Sequence, residues 1–473
     1  MMRSSALLAA LVLAGCAVGP DFQAPPAPSA TGYTAPGEET PAHLALGQKA
    51  AGDWWTLFHS PKLDAAVRLA LSGNRDLAAS EATLAAVQEQ VAAATGNLYP
   101  HLGLSGGVSR QKQNLSTFGF KVPPPIFNLY SLGTSVSYSL DVFGGTRRQL
   151  ESVEAEALAE AHRLSAAYLT IAGNVATQAI AIASFRAQLH VLEDIAASDE
   201  KNLELVRMAA ARGLVPNLDV LSAQSQLAAD RALLPPVRQQ LSAAGHALAV
   251  LMGKAPAEWP APEFDLTDFT LPETLPVSLP SALVHERPDI LAAEATLRAA
   301  SARVGVATAR AYPSITLSAS IAQAAFMPGH LFTSAFGGWS GGAGVLAPIF
   351  EGGSIEAGRR GAVAAYNAAV ATYEQTVIQG FAQTADRLQA LLHDRQELEE
   401  QGKAQGYAKS VLDLSRQSFG AGQTGILQVL ESERQYGHAR LGQARAQAQT
   451  YTDTVQLFVA TGAGWKAEAA TDR

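Results

Sequence analysis

Glu81-Ala82-Thr83-Leu84 in the first half of the chain returns as Glu294-Ala295-Thr296-Leu297 in the second, with Asp76 answered by Asp289 at an offset of 213. Tyr99-Pro100 returns as Tyr312-Pro313 at the same offset. Val142-Phe143-Gly144-Gly145 answers Ile349-Phe350-Glu351-Gly352-Gly353 at 207, counted between the phenylalanines. Gly213, ahead of Leu218 and Leu221, answers Gly422, ahead of Leu427 and Leu430, at 209. Four matches in one order at nearly one offset mark a duplicated unit of roughly 210 residues, far longer than a solenoid repeat. Each half is then a substantial part of one quasi-symmetric body.

Within a half the hydrophobic period changes twice. An Ala/Leu pattern from Pro61 to Asn97 predicts a helix that Tyr99-Pro100 ends. From His101 to Ser109 the pattern alternates, placing Leu102, Leu104 and Val108 on one face. Leu132, Val136, Tyr138, Leu140 and Val142 do the same in a following strand, broken only by Thr134. Gln111 to Asn128, carrying Pro123-Pro124-Pro125, is the intervening loop. The second half repeats the pair with Ile315, Leu317, Ala319 and Ile321, a loop from about Met327 to Gly338, then Trp339, Ala343, Val345 and Ile349. Strands of about ten residues with small or polar residues on the other face suit a lipid-facing barrel wall. Taken alone they also suit a half-buried antiparallel sheet in water.

From Thr146 to about Arg212 no proline interrupts. Leu164, Ile171, Gln178, Phe185 and Leu192 step by seven, with Tyr168, Val175, Ile182, Leu189 and Ala196 between them, a sustained heptad seam. A helix of that span runs about 100 Å at ~1.5 Å per residue, beyond the globular norm. The second copy runs from Ile355 to about Phe419, with Ile378, Phe381, Ala385, Leu388 and Leu392 as its seam. Each long helix meets a glycine-containing turn and returns, over Leu218 to Met252 and over Ile426 to Thr461, and Pro235-Pro236 predicts a kink in the first return.

The N-terminus states the compartment. Arg3 supplies a positive segment, Ala6 to Ala14 a short apolar one, and Leu13-Ala14-Gly15-Cys16 closes it with small residues before the chain's single cysteine. This is a secretory signal, too short to span a bilayer as a mature helix. It resembles a bacterial lipoprotein signal, which implies acylation of Cys16. Ala17, in place of an acidic residue, implies sorting to the outer membrane. With one cysteine, an internal disulfide is impossible. The signal and the long helices tip the alternating strands toward a barrel wall. Four strands cannot close a barrel, and an open edge in lipid leaves backbone groups unsatisfied, so oligomerisation is required: two chains give eight strands and three give twelve.

Composition excludes other classes. The chain is 48% hydrophobic, yet no stretch after the signal holds 18 uninterrupted apolar residues, so membrane-spanning helices are not expected. A formal charge of −8 with no basic stripe argues against a nucleic-acid partner. Gly420-Ala421-Gly422-Gln423-Thr424-Gly425 matches GxGxxG, but it separates two helices where a dinucleotide site needs a strand before the turn. It reads as an inter-helix turn. The ten histidines show no HExxH or comparable spacing, and no GxSxG elbow or P-loop occurs. No catalytic residue, cofactor site or metal site is therefore expected, and the chain reads as no enzyme.

Taken together the chain resembles the TolC-like outer-membrane efflux proteins, specifically the NodT-type lipoproteins that serve resistance-nodulation-division pumps. The residues carrying the resemblance are Leu13-Ala14-Gly15-Cys16 with Gly19-Pro20-Asp21-Phe22, then Trp54-Trp55 with Phe58, Pro61 and Leu63. They continue through Tyr99-Pro100, Leu140-Asp141-Val142-Phe143-Gly144, Arg287-Pro288-Asp289-Ile290 and Pro348-Ile349-Phe350-Glu351-Gly352-Gly353, in family order over essentially the whole chain. The resemblance implies an α+β membrane protein. Its homotrimer shares one twelve-stranded β-barrel, four strands per chain, continuous with a long periplasmic helical barrel. It implies docking to a periplasmic adaptor and an inner-membrane pump, and passive conduction of small molecules and drugs across the outer membrane. It also implies a periplasmic gate at Leu427, Glu431 and Arg434, spaced i, i+4, i+7 on one helical face. Glu431 departs from the family's commoner aspartate, and the first copy offers only Leu218, Ser222 and Ser225 at the corresponding places.

The organisation expected is a signal peptide (1–15), a lipidated tether (16–52), helices of the first repeat (53–100), two barrel strands (101–143) and further helices (144–253). A Pro-rich acidic connector (254–280), a helix of the second repeat (281–311), two more strands (312–350), further helices (351–462) and a C-terminal tail (463–473) complete it. Two other readings are a duct for secreted protein and a non-conducting lipoprotein that tethers envelope layers. The alternating strands speak against the tether, which needs no barrel.

Overall fold

The computed structural model describes residues 17–463 apart from 27–29, 31, 36, 40, 42–43, 115–118 and 120–122; the signal peptide, Cys16 and nearly all of the C-terminal tail lie outside the described residues. Helices are α1 Pro61–Gly73, α2 Arg75–Gly96, α3 Gly145–Ala211, α4 Asn217–Arg231, α5 Leu234–Leu251, α6 Pro280–Leu283, α7 Pro288–Ala309, α8 Ser354–Gly420 and α9 Ile426–Ala460. Strands are β1 Leu44–Leu46, β2 His101–Lys112, β3 Ile126–Leu140, β4 Leu275–Val277, β5 Ser314–Ala325 and β6 Gly337–Leu346. Two compact units form: one from Leu84–Glu160 and Ala293–Tyr373 with the described part of Met1–Pro25, the other from the rest.

The first unit holds a four-stranded sheet in the order β2-β3-β5-β6, every neighbouring pair antiparallel. Its register sorts most side chains by face, with Leu129 and Leu346 on the small-residue face and Arg110 and Lys112 at one end of the apolar face among the exceptions. Leu102 lies opposite Val136, Leu104 opposite Thr134 and Val108 opposite Tyr130; Val136, Tyr138 and Leu140 lie opposite Ala319, Leu317 and Ile315. Ile315, Leu317 and Ile321 lie opposite Val345, Ala343 and Trp339. Directly opposed residues share a face, so these form one apolar surface across all four strands. The other face carries Gly103, Ser105, Gly107 and Ser109 on β2, Ser131, Gly133, Ser135 and Ser137 on β3, Thr316, Ser318 and Ser320 on β5, and Ser340, Gly342 and Gly344 on β6. Leu102, Leu104, Ile321, Trp339 and Val345 are all exposed, so no core within the chain absorbs the apolar face.

The second unit is helical. Trp54 stacks on Phe458 at 5.3 Å, and Phe58, Leu63, Val67, Val175, Ile180, Ile182, Leu248, Met252 and Phe264 bury around them. The pattern expected to give one helix from Pro61 to Asn97 breaks at Asn74. There Asn74 Oδ1 accepts from the Asp76 and Leu77 amides, and Asn74 Nδ2 donates to the Leu251 carbonyl. An N-cap that also satisfies a neighbouring helix end outweighs one more turn of helix. The first return helix is severed as well, between α4 and α5. Pro235 lacks an amide hydrogen and its ring meets the carbonyl four residues back, at Arg231 where α4 ends. The second return, α9, has no proline and runs 35 residues unbroken.

Both long helices have the same length, 67 residues. Along α3 the heptad seam buries Ile171, Val175, Ile182, Leu192 and Ala196. Part of α3 is apolar enough to cross a membrane by length and composition, but more than half of that stretch is buried. In α8 the buried stripe is Val377, Gly380, Thr384, Leu388 and Leu391: Leu388 is shared with the expected seam, the other four lie one position before the expected residues, and Ile378 is exposed. The shift follows from Gly380, where a Cβ would stand 3.3 Å from Arg287 Nε and Ile290 Cδ1, so the narrow side of α8 takes the neighbour. Residues 17–52, expected as a free tether, are in part laid along the body. Leu44–Leu46 pairs in parallel with Leu275–Val277, and Tyr33 donates to the Ser278 carbonyl and packs edge-on to Phe381.

Candidate functional site

Two turns join the long helices to their returns, and they are built alike. Gly213 takes φ +71° while the Leu214 amide donates back to Ala209; Gly422 takes φ +71° while Gln423 donates back to Ser418. This is a helix C-cap in which only glycine adopts the left-handed conformation without strain. The glycine-rich GxGxxG segment is therefore an inter-helix turn, with α8 before it and α9 after it.

Past the Gly422 turn, the three expected gate residues fall on the first turns of α9. Leu427 is about half exposed. Arg434 Nη2 donates to both carboxylate oxygens of Glu431 at 2.8 and 2.9 Å, and Arg434 Nε adds a third bond at 3.1 Å. Gln435 Nε2 donates to Glu431 Oε1 at 3.0 Å. The Arg434 bonds hold the Glu431 carboxyl below the usual carboxylate range, and Glu431 in turn raises Arg434. Both are partly exposed, so the pair contributes modestly to stability; its effect is to fix a charged, hydrogen-bonded face on α9. Leu427 shares the helix face but makes no part of this array.

Sequence reading missed the groups that face Arg434 from the first repeat. Asp199 of α3 and Asp230 of α4 are both buried, at 6% and 5% exposure. Burial first, and the neighbouring Asp230 carboxylate second, push Asp199 up to about 7, while the Arg434 charge pulls it back down. Asp199 Oδ2 has no hydrogen-bond donor, whereas Asp230 Oδ2 accepts from Gln226 at 2.7 Å. A proton on Asp199 makes its carboxyl a donor to the neighbouring Asp230 carboxylate, which is why a buried carboxyl beside a carboxylate titrates high. The signal was present: Asp199 is the next sevenfold step after Leu192, an acid at a seam position. Nearby, Glu433 accepts from Ser198 and from Arg416, tying α9 to α3 and α8.

The other family motifs are structural. Asp141 caps α3, accepting from the Thr146 and Arg147 amides at 2.9 and 2.8 Å. Buried Arg287 bonds the Ala460 carbonyl, Asp289 and Gln383, stapling α7 to α8 and α9. Gly19 at φ +97° crosses Gly305 so closely that a Cβ would stand 2.4 Å from its Cα. Arg148 reaches Asp21 at 2.6 Å and the Val18 carbonyl at 3.3 Å. The residues that follow Cys16 are thereby fixed to the start of α3. Cys16 itself lies outside the described residues.

A model of the family described as outer membrane efflux protein matches residues 66–254 and 279–463, the two halves of the duplication. The pyoverdine export outer membrane protein OpmQ of Pseudomonas aeruginosa is 32% identical, over 99% of this chain and 98% of that protein. The antibiotic efflux pump outer membrane protein ArpC of Pseudomonas putida is 28% identical over 98% and 95%. Among solved structures, the outer-membrane channel OprN superposes with a TM-score of 0.86 at 27% identity, covering 95% of this chain and all of that one. The chain belongs to the outer membrane efflux protein family: it has the TolC-like fold, resides in the outer membrane and serves there as an efflux channel, not as an enzyme.

Proposed function

We propose that three copies close into a twelve-stranded barrel through which small organic molecules leave, handed on by a periplasmic adaptor and an inner-membrane pump of the resistance-nodulation-division class. One observation carries the reading: a four-stranded sheet with an apolar face, a Ser/Gly face, and strands β2 and β6 at its two edges. The apolar face suits lipid, the small polar face suits a water-filled bore, and an edge in lipid is tolerable only when another strand pairs with it. Cys16, diacylated, is the lipid attachment in this reading. Leu427, Glu431 and Arg434 form the periplasmic gate, and three copies of the acid–base pair around one axis make a narrow, cation-preferring mouth with low resting conductance.

The relatives' names mention pyoverdine and antibiotics, so the cargo is taken to be small and chemically varied, its selection resting with the pump. The test is native mass of detergent-extracted protein together with single-channel recording in a planar bilayer. Trimers with discrete conductance steps are expected. A monodisperse species of another stoichiometry, or trimers that never conduct, overturns the proposal.

A further inference from the structure

Contacts inside the chain fall into two kinds, and duplication treats them differently. Contacts made within one repeat occur twice. Tyr168 of α3 donates to Glu81 of α2, and in the second repeat Tyr373 of α8, one helical turn short of the corresponding place, lies beside the Glu294 charge of α7. The hairpin β2–β3 is likewise matched by β5–β6. Contacts made between the repeats occur once, because the chain has a single junction where the first repeat meets the second. The β3–β5 pairing is that junction, and it is flanked by two packing contacts at the rim. Phe143, just past β3, stacks on Tyr312, just before β5, with ring centroids 4.8 Å apart and planes 26° apart. Gly145 presses against Ala309, where a Cβ on the glycine would come within 3.2 Å of the Ala309 Cβ.

The counterparts of these four residues are bare. Phe350 answers Phe143 and is 88% exposed; Tyr99 answers Tyr312 and is 63% exposed. The pair Gly352-Gly353 stands for Gly144-Gly145 and Gly96 answers Ala309, and none of Gly352, Gly353 and Gly96 has any atom within 4 Å of an added Cβ. Phe350 and Gly353 follow β6, one edge of the sheet; Tyr99 and Gly96 precede β2, the other edge. Resting on the ring closure proposed above, we infer that Phe350 of one chain stacks on Tyr99 of the next copy, and that Gly353 packs against Gly96 beside it, reproducing between chains the rim contact that Phe143 and Tyr312 make within one. Carrying the β3–β5 register over by the offsets that the two hairpin registers define, 209 for β3 to β6 and 213 for β2 to β5, sets Val345 opposite Gly106. Both lie on the apolar face, so the seam keeps lipid-facing residues together, as a register displaced by one residue would not. Ile349, 97% exposed, is covered by the same closure.

The chain's only cysteine is Cys16, so introduced thiols are readily followed. Tyr99→Cys with Phe350→Cys, treated in membranes with a short bismaleimide, is expected to give covalent dimers and trimers on a denaturing gel, ending at the trimer. Each single variant and the parent chain should give none, and Phe143→Cys with Tyr312→Cys should link only within a chain. If Tyr99→Cys/Phe350→Cys remains trimeric by native mass but yields no ladder, while the Phe143/Tyr312 pair links, the contact is wrong and the ring closure stands. If native mass shows no ring of three, the closure itself is wrong. A variant pair that fails to assemble is replaced by Gly96→Cys with Gly353→Cys, for which the same ladder is expected.

Discussion

A single arginine placed on either of two adjacent residues of β3 tests the reading of the sheet. Leu132 lies opposite Gly106 and Gln323 on the apolar face; Ser131 lies opposite Gly107 and Ala324 on the small-residue face. The twelve residues of β2 extend about 40 Å at ~3.4 Å each, and a tilt of about 40° brings the height to roughly 30 Å, the thickness of the hydrocarbon layer. Gly106 is five steps along β2 from His101, so its partner Leu132 sits about 13 Å deep, close to the midplane. Leu104 is three steps along and about 8 Å deep on the same estimate. Arginine on the lipid face costs about 2–4 kcal/mol at the midplane and less toward the interfaces. Leu132→Arg is therefore expected near the top of that range and Leu104→Arg near its foot.

In a ring of three the Leu132→Arg cost is incurred three times, roughly 10 kcal/mol per barrel, comparable with the whole stability of many folded domains. Ser131→Arg places its charge in the bore, where water solvates it, and is expected to assemble normally. The assay is the amount of native-mass oligomer recovered from outer-membrane fractions, with urea titration of protein refolded into lipid for the energetic ranking. Leu132→Arg should lose most of its assembled protein, Leu104→Arg part of it and Ser131→Arg little. Equal recovery of Leu132→Arg and Ser131→Arg, or the reverse order, refutes the assignment of the two faces.

Glu431→Ala combined with Arg434→Ala should raise resting single-channel conductance several-fold and make cells leak to large antibiotics; parental conductance would move the closing contacts elsewhere. Asp199 titrates near 7 in the folded chain against about 3.8 when free, so its contribution to stability is present in acid and is lost as pH rises through about 7. The thermal midpoint should accordingly fall between pH 5 and pH 8, and Asp199→Asn should flatten that fall; Asp394, raised to about 7 by burial and then by Asp453, supplies the remainder. An unaltered slope in Asp199→Asn, measured by calorimetry, counts against the assignment. Mass spectrometry of the mature N-terminus should find a diacylated Cys16, two chains being needed for stable attachment, and Cys16→Ser with a substitute signal should still assemble.

What the sequence revealed and what it hid divide along physical lines. Period-two strands and heptads are carried by many side chains at once, so both long helices were legible to within a residue and the four strands to within about three, Ile349 falling past the end of β6 and Ile126 to Asn128 joining β3 from the expected loop. The breaks at Asn74 and Pro235 depended on single residues whose effect hinges on partners far away in sequence, such as the Leu251 carbonyl that Asn74 Nδ2 reaches. The one-position rotation of α8 was hidden because Val377 and Ile378 are equally apolar, and only Gly380 against Arg287 and Ile290 decides between them. At the proposed gate, Glu431 and Arg434 were reached through the family resemblance. Their neighbours Asp199 and Asp230 come from helices more than 200 residues earlier, and only the acid at a seam position hinted at them.

The duplication is kept in the strands and helix pairs and broken after the second glycine turn, where the gate is proposed. Strand hairpins, helix pairs and the glycine turns recur in both repeats, while the charges after the turn do not: Glu431 and Arg434 stand where the first copy has Ser222 and Ser225. The first repeat instead brings Asp199 and Asp230 within electrostatic reach of Arg434. Arg434 therefore has two acidic neighbourhoods, one bonded to it in three places and one in which burial and Asp230 raise the Asp199 carboxyl. Separating Arg434 from Glu431 does not strand a half-buried cation, because Asp199 ionises more readily as the guanidinium turns to it. A lock whose cation has a second acceptor opens at lower cost than an isolated pair, and it opens more easily as pH rises and Asp199 loses its proton. In Asp199→Asn that group no longer ionises, although Asp230 remains beside it. The conductance gained on opening should then lose its dependence on pH between 6 and 8, whereas Glu431→Gln should raise conductance at every pH.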